Sequence, residues 1–322
     1  MSAFGMCLTL LALLASYVAI ILGNQGLRKI KNKQLGIDLI PYLRQLLEFT
    51  PQHRGMVNAI LQGDESFRSK IGGVQQHIEK NIALLLSQAQ QTRPWEIQQR
   101  VTQIVNYWQE ISKNYKHYSA ADSFSKHTAL ISEILYLTND VAEESGIVSC
   151  HTGEYELTNA ANTKLPLMTE LLGQARGIGT GVAAKGEQST ADKIKLLYRL
   201  NKLKSVSDST STTLKAVFSR NPSLNAHSKD TLQSSFQATT EFLNILDSEI
   251  VNSDYIDINA ELYYQSGTDA IKKNFDLLDT INQTIKAEID SELQSAQTRS
   301  NLTRFLVGAL LTTTFVSLYF WV

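Results

Sequence analysis

Two uncharged apolar stretches, Phe4 to Leu22 and Phe305 to Val322, stand at the ends of the 322-residue chain and enclose a long polar middle. The hydrocarbon core of a bilayer takes about 20 apolar residues of helix to cross. Both stretches are therefore predicted to be transmembrane helices. Phe4 to Leu22 has no small-residue cleavage pattern ahead of Gly23-Asn24-Gln25, which favours an uncleaved anchor over a signal peptide. The middle is then a domain tethered twice to one membrane face.

That middle reads as helix throughout. Ile97, Val101, Ile104, Val105, Trp108 and Ile111 recur at the three-and-four spacing of one helix face. Leu130, Ile131, Ile134, Leu135 and Val141 form a second stripe, Leu232, Phe236, Leu243, Leu246 and Ile250 a third, and Phe275, Leu278, Ile281, Ile285 and Ile289 a fourth. Turn formers and caps cluster near Gly63-Asp64, Thr92 to Pro94, Ser119-Ala120, Ser149 to Gly153, Gly186-Glu187, Asn221 to Ser223 and Asn252 to Asp254. Seven breaks predict eight helices, the first running on from the first span and the last feeding the second through Leu293 to Thr303. With 43% hydrophobic residues there is enough apolar content for a packed core, and a net charge of -1 gives no general attraction to nucleic acid. Cys7 and Cys150 lie in a span and a loop, so no internal disulfide is expected.

A motif occurs twice. Ile40-Pro41-Tyr42-Leu43-Arg44-Gln45-Leu46-Leu47, followed by Gln52-His53-Arg54-Gly55, returns as Leu165-Pro166-Leu167-Met168-Thr169-Glu170-Leu171-Leu172 followed by Gln174-Ala175-Arg176-Gly177. Each copy continues to a glycine, Gly63 or Gly186, and then to a Lys-Ile pair, Lys70-Ile71 or Lys193-Ile194. The predicted fold is all-α: two four-helix-bundle halves, 24–150 and 151–303, between transmembrane helices at 1–23 and 304–322.

Arginine holds its charge at any physiological pH and presents a planar fork of donors suited to an oxyanion or carboxylate. A following glycine removes bulk beside it, at about 1 kcal/mol of helix propensity. If the halves pack face to face, Arg54 and Arg176 can converge on one small anion, with Gln52 and Gln174 as further donors and Gly55 and Gly177 giving access. The alternative is that each arginine pairs with a nearby carboxylate such as Glu48 or Glu170, and that each glycine marks a helix crossing.

QHRGMVNAILQGD, Phe124 to Gly146, Leu165 to Gly179 and YYQSGTDAI (Tyr263 to Ile271) resemble motifs of the periplasmic sensor regions of bacterial methyl-accepting chemotaxis proteins, particularly those related to the nitrate- and nitrite-sensing (NIT) domain. The resemblance covers almost all of the chain between the apolar ends. It implies a dimeric inner-membrane receptor region with a periplasmic domain. There the ligand, nitrate, nitrite or a small carboxylate, would lie near Arg54 and Arg176. Such receptors continue into a HAMP linker and an output domain, whereas this sequence stops at Trp321-Val322, so the expected output is a further domain or a separate cytoplasmic partner. The basic residues Arg28, Lys29, Lys31, Lys33, Arg299 and Arg304 taken literally place the middle in the cytoplasm; the resemblance places it in the periplasm, and the latter is preferred.

No His-x-x-x-His or Cys-x-x-Cys spacing and no Glu-x-x-His repeat is present, so no metal or other cofactor is expected. His127 is expected to be a hydrogen-bonded core residue, and Trp95, Trp108, Tyr115 and Tyr118 to be core aromatics. No nucleophile elbow, P-loop, dinucleotide or kinase signature occurs, which argues against an enzyme. The competing reading is a structural or adaptor membrane protein whose helical domain binds another protein.

Overall fold

A computed structural model describes residues 3–63, 65–90, 95–149 and 154–321, without the side chains of 3–10, 12, 95–96, 149, 154, 222–227 and 317–321. The protein is all-α. The helices are α1 (Ala3–Leu61), α2 (Arg68–Ala89), α3 (Trp95–Asn114), α4 (Ala120–Glu144), α5 (Glu154–Asn159), α6 (Leu165–Lys185), α7 (Thr190–Arg220), α8 (Pro222–Ile245) and α9 (Ala260–Trp321). A π-helical turn, Ala160–Lys164, joins α5 to α6 without a break, so the described residues form eight rods. Pro166 follows that turn closely and has no N–H to offer it, a setting in which the ladder loosens by one residue. A second π turn, Leu246–Val251, ends α8. The breaks expected at Thr92 to Pro94 and Cys150 to Gly153, like Asp64, lie outside the described residues.

Local chemistry sets the helix edges. Ser119 and Ser189 each sit in extended conformation, accept the backbone N–H of Asp122 and Asp192, and donate their hydroxyls to the same aspartates at 2.7 Å, so each satisfies an orphan donor at a helix start. The glycines that close the two motif copies end α1 and α6 in left-handed conformation, Gly63 at φ 99° and Gly186 at φ 67°. A side chain at either position would strain the backbone.

The chain divides into two compact units. In the smaller, α1 up to Leu35 pairs with α9 from Lys286 onward. Lys33 meets Glu292 at 3.0 Å, and Arg304 donates to Asn24 at 3.0 Å. Leu14, Tyr17 and Leu22 on one rod, and Phe305, Leu306 and Phe315 on the other, stand exposed. Among the described residues no helix is long and apolar enough to cross a membrane. The predicted spans fall in part on residues 4–10, 12 and 317–322, which lie outside the described side chains.

The larger unit is Gly36–Ile285. There α1 packs with α2, α3 and α4: His53 contacts Trp108 and His127, and Phe49 stacks on His77. Val57, Ile60, Ile71 and Tyr115 close one end of this group. Helices α6 to α9 share another core, including Leu172, Ala175, Leu200, Leu203, Phe242, Leu246 and Tyr263. The predicted stripes supply these cores: Ile97, Val101, Ile104, Trp108 and Ile111, and likewise Phe275, Leu278 and Ile281, are buried.

Candidate functional site

The two repeated arginines lie in equivalent settings on α1 and α6. Arg54 sits over the Phe124 ring at 4.7 Å and donates to the Thr128 hydroxyl at 3.0 Å. Arg176 sits over the Tyr264 ring at 4.6 Å and donates to the Thr268 hydroxyl at 2.8 Å. Each cradle is therefore an aromatic residue and a threonine four positions on, one turn apart on the same helix face, α4 in one case and α9 in the other. The aromatic face holds the cation and the hydroxyl fixes the fork's rotation.

The arginines differ in their anionic partners. Arg54 is 3% exposed and forms a two-point ion pair with Glu170 of α6, Nη1 to Oε1 at 2.6 Å and Nη2 to Oε2 at 3.1 Å. Glu170, 6% exposed, also accepts from Gln174 Nε2 at 2.5 Å, and Gln174 Oε1 accepts from Arg199 Nε at 2.8 Å. No carboxylate among the described residues lies within ion-pair distance of Arg176 or Arg199. Burial lowers the pKa of Arg176, and the nearby Arg54 charge lowers it further. Burial likewise lowers Arg199, with Glu170 acting against it and Arg54 with it. Glu170 thus pairs with Arg54 and is felt by Arg199, while Arg176 feels the Arg54 charge and has no acidic partner among the described residues, an excess of positive charge in a partly desolvated place, where electrostatic attraction is stronger than in water.

Beside Arg54 runs a neutral relay. His127 Nδ1 lies 2.7 Å from the Ser123 carbonyl, which can only accept, so this nitrogen carries the proton. His127 Nε2 must then accept from His53 Nδ1 at 2.8 Å, and His53 Nε2 accepts from Gln75 Nε2 at 3.2 Å. Every proton has one place. Desolvation, with His127 adding to it, lowers His53 to a pKa of about 3. Desolvation also lowers His127, to about 4, against the bond to Ser123 and with the Arg54 charge. Among the described residues no group of three or more His, Cys, Asp or Glu is placed to hold a metal ion.

Of the residues expected from the sequence, Arg54 and Gln174 meet at Glu170, and Arg176 lies near enough to feel the Arg54 charge. Gln52 is half-buried and makes no hydrogen bond within the cluster. Gly55 and Gly177 are exposed, and a Cβ built at either meets nothing within 4 Å. No helix crosses there. Close approaches are found instead at Gly36, where a Cβ would collide with Ser145, at Gly179, where it would collide with the Tyr263 ring and hydroxyl, and at Gly267, where it would lie 2.9 Å from both Arg176 and Phe242. Tyr263 also donates to the Ala175 carbonyl at 3.0 Å, which fixes α9 against α6 beside the arginine. The contrast is testable by denaturant unfolding. Gly179→Ala is expected to lose about 1–3 kcal/mol through overpacking, whereas Gly177→Ala is expected to gain up to about 1 kcal/mol from helix propensity.

Sequence reasoning did not assign Phe124, Thr128, Tyr264, Thr268 or Arg199. The signal was available, because an aromatic residue and a threonine at i and i+4 occur in both Phe124 to Thr128 and Tyr264 to Thr268.

No protein-family model and no curated protein matches the chain. Among solved structures the chain is similar to that of the NasR transcription antiterminator, at 14% sequence identity and a TM-score of 0.63, covering 91% of this chain and 82% of that one. At this identity the likeness is one of fold.

Proposed function

We propose that this chain is the ligand-sensing region of a membrane receptor, which binds a small planar oxyanion at the Arg54, Arg176 and Arg199 cluster and passes the change along α1 and α9. The observation that carries this reading is the charge imbalance: Glu170 pairs with Arg54 and is felt by Arg199, and Arg176, half-buried and within reach of the Arg54 charge, has no carboxylate partner among the described residues. Uncompensated buried charge is costly, so an anion that completes the cluster is bound with a favourable electrostatic term. Arg176, cradled by Tyr264 and Thr268 and lacking an acidic partner among the described residues, is the residue with most to gain. Nitrate or nitrite is the first choice of ligand, by the resemblance to NIT-type sensors, and a small carboxylate the second. The receptor is read as a homodimer in a bacterial inner membrane with residues 36–285 on the periplasmic side, acting on a cytoplasmic signalling partner or output domain. The exposed apolar residues of α1 and α9, Leu14, Tyr17 and Leu22 with Phe305, Leu306 and Phe315, support membrane anchoring, since water is a poor solvent for such a face.

A signal of useful size requires the anion to favour one packing of the helices by a few kcal/mol. Arg54 on α1 and Arg176 on α6 give it a grip on two separate rods. Calorimetric titration of the full chain in detergent with sodium nitrate, nitrite and acetate at constant ionic strength tests the reading. Saturable binding is expected, weakened at least about tenfold by Arg176→Lys, which keeps a charge and loses the planar fork. Absence of binding for all three anions at millimolar concentration would favour the adaptor protein instead.

A further inference from the structure

Glu170 presents Arg54 with a planar, two-oxygen anion, held in the fork-to-fork geometry that guanidinium groups make with carboxylates. Both Nη atoms of Arg54 are engaged by it, and Thr128 takes a further bond from Nη1. An anion from solution that uses this fork must therefore compete with Glu170. The carboxylate has somewhere to go. Gln174 already bridges it to Arg199, which is half-exposed, feels the Glu170 charge and carries no carboxylate of its own among the described residues.

The motif repeat gives a second, independent observation. Glu48 stands six residues before Arg54, as Glu170 stands six before Arg176. The correspondence is one of distance from the arginine, since counted from Pro41 and Pro166 it is Gln45 that matches Glu170; Glu170 reaches across to Arg54, whereas Glu48 does not reach Arg176. It is held by Arg44, which also binds Asp279 at 3.0 Å and lies over the Phe275 ring at 4.3 Å. One glutamate of the pair is clamped away and the other is inserted, so Arg54 has an internal anion and Arg176 has none.

From these contacts we infer that Glu170 is a built-in competitor of the anion site: it fills on Arg54 the seat of a planar oxyanion, and ligand binding is an exchange that moves the carboxylate toward Arg199 and releases α6 from α1. This rests on the reading of the cluster as an anion site and deepens it. The exchange sets selectivity, because the seat is shaped by a trigonal carboxylate; nitrate, nitrite and acetate match it, and tetrahedral sulfate does not. It also sets sensitivity, because the ligand is measured against an internal rival at fixed high effective concentration.

The test is titration of the full chain, wild type and Glu170→Gln, with sodium nitrate and acetate, and with sulfate as a shape control. Glu170→Gln keeps the side chain's size and its hydrogen bonding to Gln174 while removing the competing charge. Nitrate is expected to bind it at least about tenfold more tightly than wild type, with sulfate gaining less. Because Glu170→Gln leaves Arg54 without its counter-ion and can fail to fold, Glu170→Asp is measured beside it. One methylene shorter, it keeps the charge but cannot span the same two-point contact, and nitrate affinity is expected to rise about threefold. Binding by wild type that is unchanged or weakened in the folded variants overturns the exchange and leaves the anion site standing. Binding by Glu170→Gln alone supports it. Binding by none of the proteins overturns both the exchange and the site.

Discussion

Arg54→Met is expected to lower the unfolding free energy by about 3–5 kcal/mol, since it leaves Glu170 buried with its charge unpaired. Arg54 also contributes its bond to Thr128 and its contact with Phe124, but the stranded carboxylate dominates. The double variant Arg54→Met, Glu170→Leu is expected to recover most of that loss, because it removes both charges and fills the space with apolar atoms. Urea unfolding of the full chain followed by circular dichroism distinguishes this from a packing effect. If the pair mattered only for shape, the two substitutions would add; if it is a desolvated ion pair, the second reverses the first. A loss under about 1 kcal/mol for Arg54→Met would mean that water reaches the pair.

Acid destabilisation is the second large effect expected. His53 and His127 have folded pKa values of about 3 and about 4, both below the 6.5 of an unconstrained imidazole. As pH falls through 6.5 the unfolded chain takes up protons that the folded chain refuses, so stability falls with pH and continues to fall toward pH 4. Each group contributes about 1.4 kcal/mol per pH unit in this window, so lowering the pH from 7 to 5 is expected to cost about 4 kcal/mol. Protonating either ring breaks the relay, since His127 Nε2 and His53 Nε2 are both acceptors there. Burial raises the pKa of Asp279, which works in the opposite direction and only at lower pH, in the carboxylate range. Thermal melts at pH 7 and pH 5 of wild type and of the double variant His53→Phe, His127→Leu measure the effect. A wild-type melting temperature that does not move between those pH values would refute the buried neutral pair.

The sequence made the helices legible because their edges are written in local chemistry. Ser119 and Ser189 are followed by aspartate three residues on, Gly186 stands where α6 must stop, and the apolar stripes of α3 and α9 mark the faces that became buried. It also placed Arg54 and Arg176 in matching positions. Nothing in the spacing revealed that Glu170 would reach Arg54, since that contact joins residues far apart in the chain and depends on how α1 and α6 pack. Nor did it separate the two meanings of glycine: Gly55 and Gly177 looked like points of close approach and face open space, while Gly179 and Gly267 are where backbone and side chain meet.

His53 shows the same limit from another side. Its counterpart in the second copy is Ala175, which argued against a role shared by both copies. His127 pairs with it, and the residue in the matching place before Thr268 is Gly267. The imidazole pair of one group is thus replaced by an alanine and a glycine in the other, with Tyr263 and Phe242 filling the space beside them. Aligning the copies by whole motifs rather than by single residues would have exposed that exchange.

Within the larger unit, α1 carries Pro41 and Pro51 in its interior. Neither ring can donate to the preceding turn, so the carbonyls of Ile37 and Leu47 lack their helical N–H and the rod is softest between those points. Arg54 lies just past the second. A pull on its guanidinium therefore arrives next to the compliant stretch, and α1 should yield by flexing at 37–51 before it slides as a stiff strut. Amide hydrogens in that interval are accordingly expected to exchange faster than those of the unbroken α7.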